Sequence, residues 1–165
     1  MSLCISLRQP FASLIVIGAK RWETRGWQPG WKNALLMRTE SFLVHASLSK
    51  KDSHLMGEYP FSKYLADVGK IPYGAILGRA KLSRVITTEE WLKEMMNPGN
   101  MLNMTCNGDV WRDERCFGDY SAGRWAWELL EVEKFAEPIP CRGSLSIWNY
   151  PFSEAEKAAS ASLRI

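Results

Sequence analysis

Four charged side chains crowd into KRWETR near the start of the chain: Lys20, Arg21, Glu23 and Arg25. Cations and a carboxylate so close together can bind an anion, hold one another, or hydrogen-bond the polar edge of a base. A lysine in such a group can also act as a general base if burial or a neighbouring cation depresses its pKa. The surrounding RWETRGW favours a strand through its tryptophans and Thr24. Strand alternation then puts Arg21, Glu23, Arg25 and Trp27 on one face, and Lys20, Trp22 and Thr24 on the other. A face with charges two residues apart is either solvated or lines a polar cavity. Lys20 has the wrong parity to join Glu23 and Arg25 from within the strand, so it is read as preceding it.

The elements before this motif set its position. Cys4 to Arg8 alternates as a strand. Pro10 suits the first position of a helix, Phe11, Leu14 and Ile15 share one helical face, and Gly18 stands where a left-handed cap would end it. So short a helix must be held by packing. Arg8 and Gln9 sit just before its N-terminus, where backbone N–H groups attract negative charge. Gln9 is an indifferent N-cap, so its side chain is either kept for recognition or simply packs.

Gly18, Lys20, Glu23 and Arg25 stand in G-x-K-x-x-E-x-R spacing, and SLRQPFASLIVIG precedes them. Together they resemble the opening of the ASCH domain (activating signal cointegrator homology) family, within the PUA-like superfamily. Trp127 to Trp148 resembles its W-E-L-E … I-P-x-x-G … W ending, so the likeness runs from Cys4 to about Tyr150. It implies an α+β fold: a PUA-like mixed or antiparallel β-barrel decorated by short helices, with a basic cleft around the motif. Residues 1–152 would form the ASCH domain, with an inserted loop near 97–123, and 153–165 a C-terminal surface helix or tail.

Three functional classes follow from the resemblance. The first is binding of RNA, or of a nucleotide or nucleoside, by Arg8, Gln9, Lys20, Arg21, Glu23, Arg25, Trp27 and His45; DNA is a possible partner. The second is a hydrolase acting on a modified nucleoside or RNA, with Lys20 and Glu23 catalytic. ASCH relatives include an acetylcytidine amidohydrolase whose set is Lys, Thr and Glu. Here Lys20 matches the lysine, but Glu23 occupies the threonine position and the downstream glutamate cannot be placed. The third class is a protein-interaction or coactivator module, for which no partner is named. Trp22 or Trp27 can stack a base.

Further along, Ser41 to Ser47 reads as a buried strand, with His45 a general base, a base-edge ligand or a core histidine bonded to a carbonyl. Ser62 to Gly69 reads as a helix closed by Gly69, and Lys50, Lys51 and Lys63 as mostly solvated. Ile71 to Thr88 is a long strand, followed by a helix over EEWLKEM capped by Thr88. Residues 97–123 carry no clear pattern, and Asp109, Asp113 and Glu114 lack calcium-loop spacing. Arg124 to Phe135 is another strand, Pro138 and Pro140 favour an extended edge, and SLSIWNYPF supplies a last strand that closes the sheet.

At 165 residues and 18.8 kDa the chain is one domain, long enough for a real core. A net charge of +3 permits an anionic partner without demanding one. The four cysteines include no C-x-x-C pair, which argues against zinc; no metal or other cofactor is expected. The N-terminus lacks the apolar core of a signal peptide, and no run approaches membrane-spanning length. A cytoplasmic protein with no membrane partner is expected.

Overall fold

The computed structural model describes residues 1–27, 41–97, 110–153 and 163–164. Strand β1 (Ser2–Leu7) leads into helix α1 (Phe11–Val16) and strand β2 (Trp22–Arg25). Strand β3 (Phe42–Ala46), a 3-10 turn (Ser53–Gly57) and helix α2 (Phe61–Leu65) follow. The two longest strands come next: β4 (Ala75–Thr87), then helices α3 (Thr88–Met95) and α4 (Val110–Cys116), then β5 (Trp125–Pro140). The short strands β6 (Ile147–Tyr150) and β7 (Leu163–Arg164) end the chain.

The strands form one mixed sheet in the order β2-β5-β4-β3-β1-β6, with β7 added to β5. β1 runs parallel to β3; the other ladders are antiparallel. The expected barrel does not close among the described residues, because β2 and β6 end the path without pairing with each other. On the outer side of β2, the N–H groups of Arg21 and Trp22 bond to the Glu114 carboxylate instead of a neighbouring strand. Strand β6 therefore borders β1 and, among the described residues, leaves an edge. Register shifts between Ile76 and Gly78, Arg79 and Lys81, and Leu82 and Arg84 mark bulges in the β4–β5 ladder. Bulges of this kind bend a sheet and increase its twist.

Helix α1 packs its Ala12, Ile15 and Val16 into the main core with Val44, Ala80 and Trp127. Gln9 supplies the missing cap: its Oε1 accepts from the Ser13 N–H at 3.1 Å, and its Nε2 donates to the Pro72 carbonyl at 2.7 Å. Gly18 takes φ +77°, the left-handed conformation expected at the helix end. A β-carbon at Gly78 would run into the Glu133 backbone carbonyl and press on Val16. Gly78→Ala should therefore lower stability by about 1–3 kcal/mol in urea unfolding, the range typical of overpacking. An unchanged midpoint would show that the bulged ladder yields freely.

Several boundaries differ from expectation. Thr87, not Thr88, caps α3; its Oγ1 accepts from the Glu90 N–H, and Glu90 accepts from the Thr87 N–H in return, a complete capping box. Helix α2 starts at Phe61 and stops at Leu65, short of Gly69. Lys63 is not simply solvated, because it pairs with Asp113 at 2.9 Å. The two segments around Pro138 form one strand, because Ile139 and Pro140 still pair with Ile76 and Ala75. Within the stretch read as an unpatterned insertion, residues 110–116 form α4; residues 98–109 lie outside the described residues. In the expected tail helix, Leu163 and Arg164 instead pair with Lys134 and Glu133 of β5; residues 154–162 and 165 lie outside the described residues.

Candidate functional site

A cleft of about 720 Å³ opens between the two ends of the sheet path. Ser6 and Arg8 at the end of β1 form one wall, Glu23 and Arg25 of β2 face them, and Trp27 and Phe11 add aromatic surface. Arg25 spans the gap, with Nη2 donating to the Ser6 carbonyl at 3.4 Å. Its Nε lies 3.0 Å from Glu23 Oε1, an ionic contact outside hydrogen-bond alignment. The expected alternation holds in β2: Trp22 and Thr24 are buried, while Glu23 and Arg25 are partly exposed into the cleft.

Lys20 precedes β2 and lies beneath the cleft rather than in its lining. Only 1% exposed, its ammonium donates to the Trp22 carbonyl at 2.5 Å and the Phe117 carbonyl at 2.7 Å. A third contact, 3.5 Å long, ties it to Glu23 Oε2. Lys20 thus holds Glu23 from below while Arg25 holds it from the side. Both oxygens of Glu23 keep lone pairs beyond these contacts.

The other expected site residues divide. Arg8 reaches the cleft but is paired there with Asp52 at 3.0 Å. Arg21 is exposed and does not line the cleft. Gln9 is fully buried and committed at both ends of its amide. Trp27 lines the cleft at 39% exposure, with its ring edge-to-face on Trp127. His45 is a core histidine: its Nδ1 lies 3.1 Å from Ser6 Oγ and its Nε2 3.3 Å from the Cys141 carbonyl.

Burial lowers the pKa of His45 below its usual 6.5, with the bond to the Cys141 carbonyl opposing the shift. The unfolded chain then binds the extra proton first as pH falls. Stability should accordingly decrease from about pH 6.5 downward until the folded-state value is passed. Urea midpoints across this range, compared with those of His45→Gln, would isolate the effect. Equal slopes in both proteins would assign the dependence to other groups.

Three features of the site escaped the sequence reading. Helix α4 brings Glu114 under β2, where it accepts from the Arg21 and Trp22 N–H groups at 2.8 and 3.0 Å. Burial raises the pKa of Glu114, opposed by the nearby Lys20 charge and by these N–H donors. Val110, Asp113, Glu114 and Phe117 fall at i, i+3, i+4 and i+7. That is a helical period, hidden because two of the four are acids. Arg124 and Asp119 add a third ion pair at the cleft, at 3.3 Å. With Arg8–Asp52 and Arg25–Glu23, three cations face three carboxylates among the described residues that line the cleft. Leu145, 91% exposed, stands on the rim.

The family model for the ASCH domain matches residues 5–139, most of the chain. The chain belongs to the ASCH domain family. Among solved structures it resembles the ASCH protein from Zymomonas mobilis, with a TM-score of 0.50 and 15% identity. That match covers 98% of this chain and 96% of the other. A point mutant of the same Zymomonas mobilis protein matches at a TM-score of 0.50 and 16% identity, covering 98% of both chains. At such identity the likeness shows the shared fold. No curated protein matches the chain. In this ASCH domain, no helix among the described residues is long and apolar enough to cross a membrane.

Proposed function

We propose that the cleft binds a single unstacked nucleoside of RNA, reading its base edge with Glu23 and Arg25. The observation that carries this reading is the Glu23–Arg25 pair, fixed by Lys20 and Ser6 and open to the cleft. The carboxylate offers acceptors and the guanidinium offers donors side by side, which suits the mixed donor and acceptor edge of a base. The exposed part of Trp27 and the ring of Phe11 supply surfaces for stacking. The volume is also in the range of small-molecule sites. The association of ASCH domains with RNA binding agrees with this reading.

Balanced charge makes the expected mode of binding specific. A polyanion track would need an excess of cations and would give a steep salt dependence. This cleft should instead bind short single-stranded RNA or nucleosides with a shallow salt slope. Glu23→Ala and Arg25→Ala should each weaken binding and flatten base preference by about 1–3 kcal/mol. Titrations followed by tryptophan fluorescence, at two salt concentrations and with all four bases, test this. Unchanged affinity and preference in both variants would refute the reading, as would a slope equivalent to several phosphates. The hydrolase alternative gains no support from Lys20, whose N–H groups point to carbonyls and Glu23 beneath the cleft.

A further inference from the structure

A second, smaller pocket of about 170 Å³ lies apart from the cleft and shares none of its lining residues. It is bounded by Ser13 and Val16 of α1, by Ile17 just after that helix, by Leu77 of β4, and by Phe135 and Pro138 of β5. Its walls are therefore mainly aliphatic and aromatic. Two features are polar. Lys70 and Lys134 both line it, and among the described residues neither makes an ion pair and no carboxylate lines the pocket. Ser13, 2% exposed, also lines it, and its buried hydroxyl has no hydrogen-bond partner among the described residues.

A buried hydroxyl without a partner costs free energy, and an acceptor in the pocket would relieve that cost. Two lysines without a carboxylate partner among the described residues, on a pocket lined otherwise by apolar side chains and Ser13, suit an anion attached to an apolar body. A simple inorganic anion would leave the walls unfilled, and a neutral hydrocarbon would leave the lysines and Ser13 unmatched. The volume lies below that of drug-sized sites, which restricts the occupant to a few carbons.

We infer that this pocket, between α1 and the β4–β5 ladder, binds a small aliphatic carboxylate. The lysines pair with its carboxylate, and the chain lies on Val16, Leu77 and Phe135. The site is independent of the nucleoside cleft and of the reading given to it.

Hexanoate, hexanol and acetate are suitable probes on the full chain, followed by amide chemical shifts at fixed ionic strength. Hexanoate should shift the amides of Ser13, Leu77, Phe135 and Ala136 in a saturable way. Hexanol, lacking the charge, and acetate, lacking the chain, should each bind at least about tenfold more weakly. Lys70→Ala combined with Lys134→Ala should weaken hexanoate by about tenfold or more and leave hexanol unchanged. Ser13→Val, which fills the pocket floor, should abolish the hexanoate response. Hexanoate shifts that fail to saturate or scatter over the surface would overturn the inference. So would equal affinity for hexanoate and hexanol in the unaltered protein, a comparison that does not depend on any variant folding.

Discussion

Replacing Lys20 by methionine should lower the free energy of unfolding by roughly 3–5 kcal/mol, the usual result of removing one partner from a buried charge network. The ammonium occupies a site 1% exposed, where it satisfies the Trp22 and Phe117 carbonyls and contacts Glu23. Without it, two buried carbonyls lose their donor and Glu23 keeps only Arg25. Glu114 also loses the nearby positive charge that opposes its desolvation. Methionine keeps most of the lysine stem, so the loss reports the ammonium rather than a cavity. Lys20→Ala should cost more, because a void is added to the same loss. Urea denaturation of the two variants separates these contributions. A methionine variant within about 1 kcal/mol of the parent would mean that the carbonyls find other donors, against the usual cost of stranding buried polar groups.

The second large effect is expected at Glu114. Glu114→Ala leaves the Arg21 and Trp22 N–H groups without their acceptor. Each stranded group costs about 1–3 kcal/mol. The same substitution detaches α4 from β2, so the amides of Arg21 and Trp22 should lose hydrogen-exchange protection ahead of the rest of the sheet. Nucleoside affinity should fall as well, because the strand carrying Glu23 and Arg25 then keeps its β5 ladder and, on the other side, only the Lys20 and Asp119 contacts. The pH dependence has a defined sign. Burial raises the carboxyl pKa above its ordinary 4.5, so the folded state binds the proton more tightly than the unfolded chain. The stability contributed by this shift is complete below the ordinary value and is lost as pH rises through the raised one. The advantage of the parent over Glu114→Ala should therefore be greatest in mild acid and shrink toward neutrality. An advantage that grows with pH would show that attraction to Lys20 outweighs burial.

Lys20 and Glu114 are expected to be coupled. Both act on the few residues around Trp22, one through its carbonyl and the other through its N–H. The double variant should lose less than the sum of the single losses, since the second removal acts on a strand already released.

Much of this architecture was legible in local pattern. The opening strand, Pro10, the apolar spacing of Phe11, Leu14 and Ile15, and Gly18 located β1, α1 and the turn into β2 to within about two residues, the usual margin for element ends. Alternation in WETR separated the buried Trp22 and Thr24 from Glu23 and Arg25, because a strand's two faces follow directly from its twofold period. The G-x-K-x-x-E-x-R resemblance pointed to the ASCH family over the segment that the family model matches.

Tertiary structure decided the rest, because those features depend on residues far apart in the chain. Whether Lys20 lines the cleft or supports it was settled by the Phe117 carbonyl, 97 residues away. Gln9 became a structural cap only because the Pro72 carbonyl reaches its amide. The N–H groups of Arg21 and Trp22 meet the Glu114 carboxylate, a contact that no local propensity encodes. The balance of charge in the cleft likewise depends on Asp52 reaching Arg8 from the segment after β3, and on the Asp119–Arg124 pair arriving beside β2 from the segment before β5. Periodicity reports which face of an element is apolar; it does not report which distant polar group will meet that element when the chain folds.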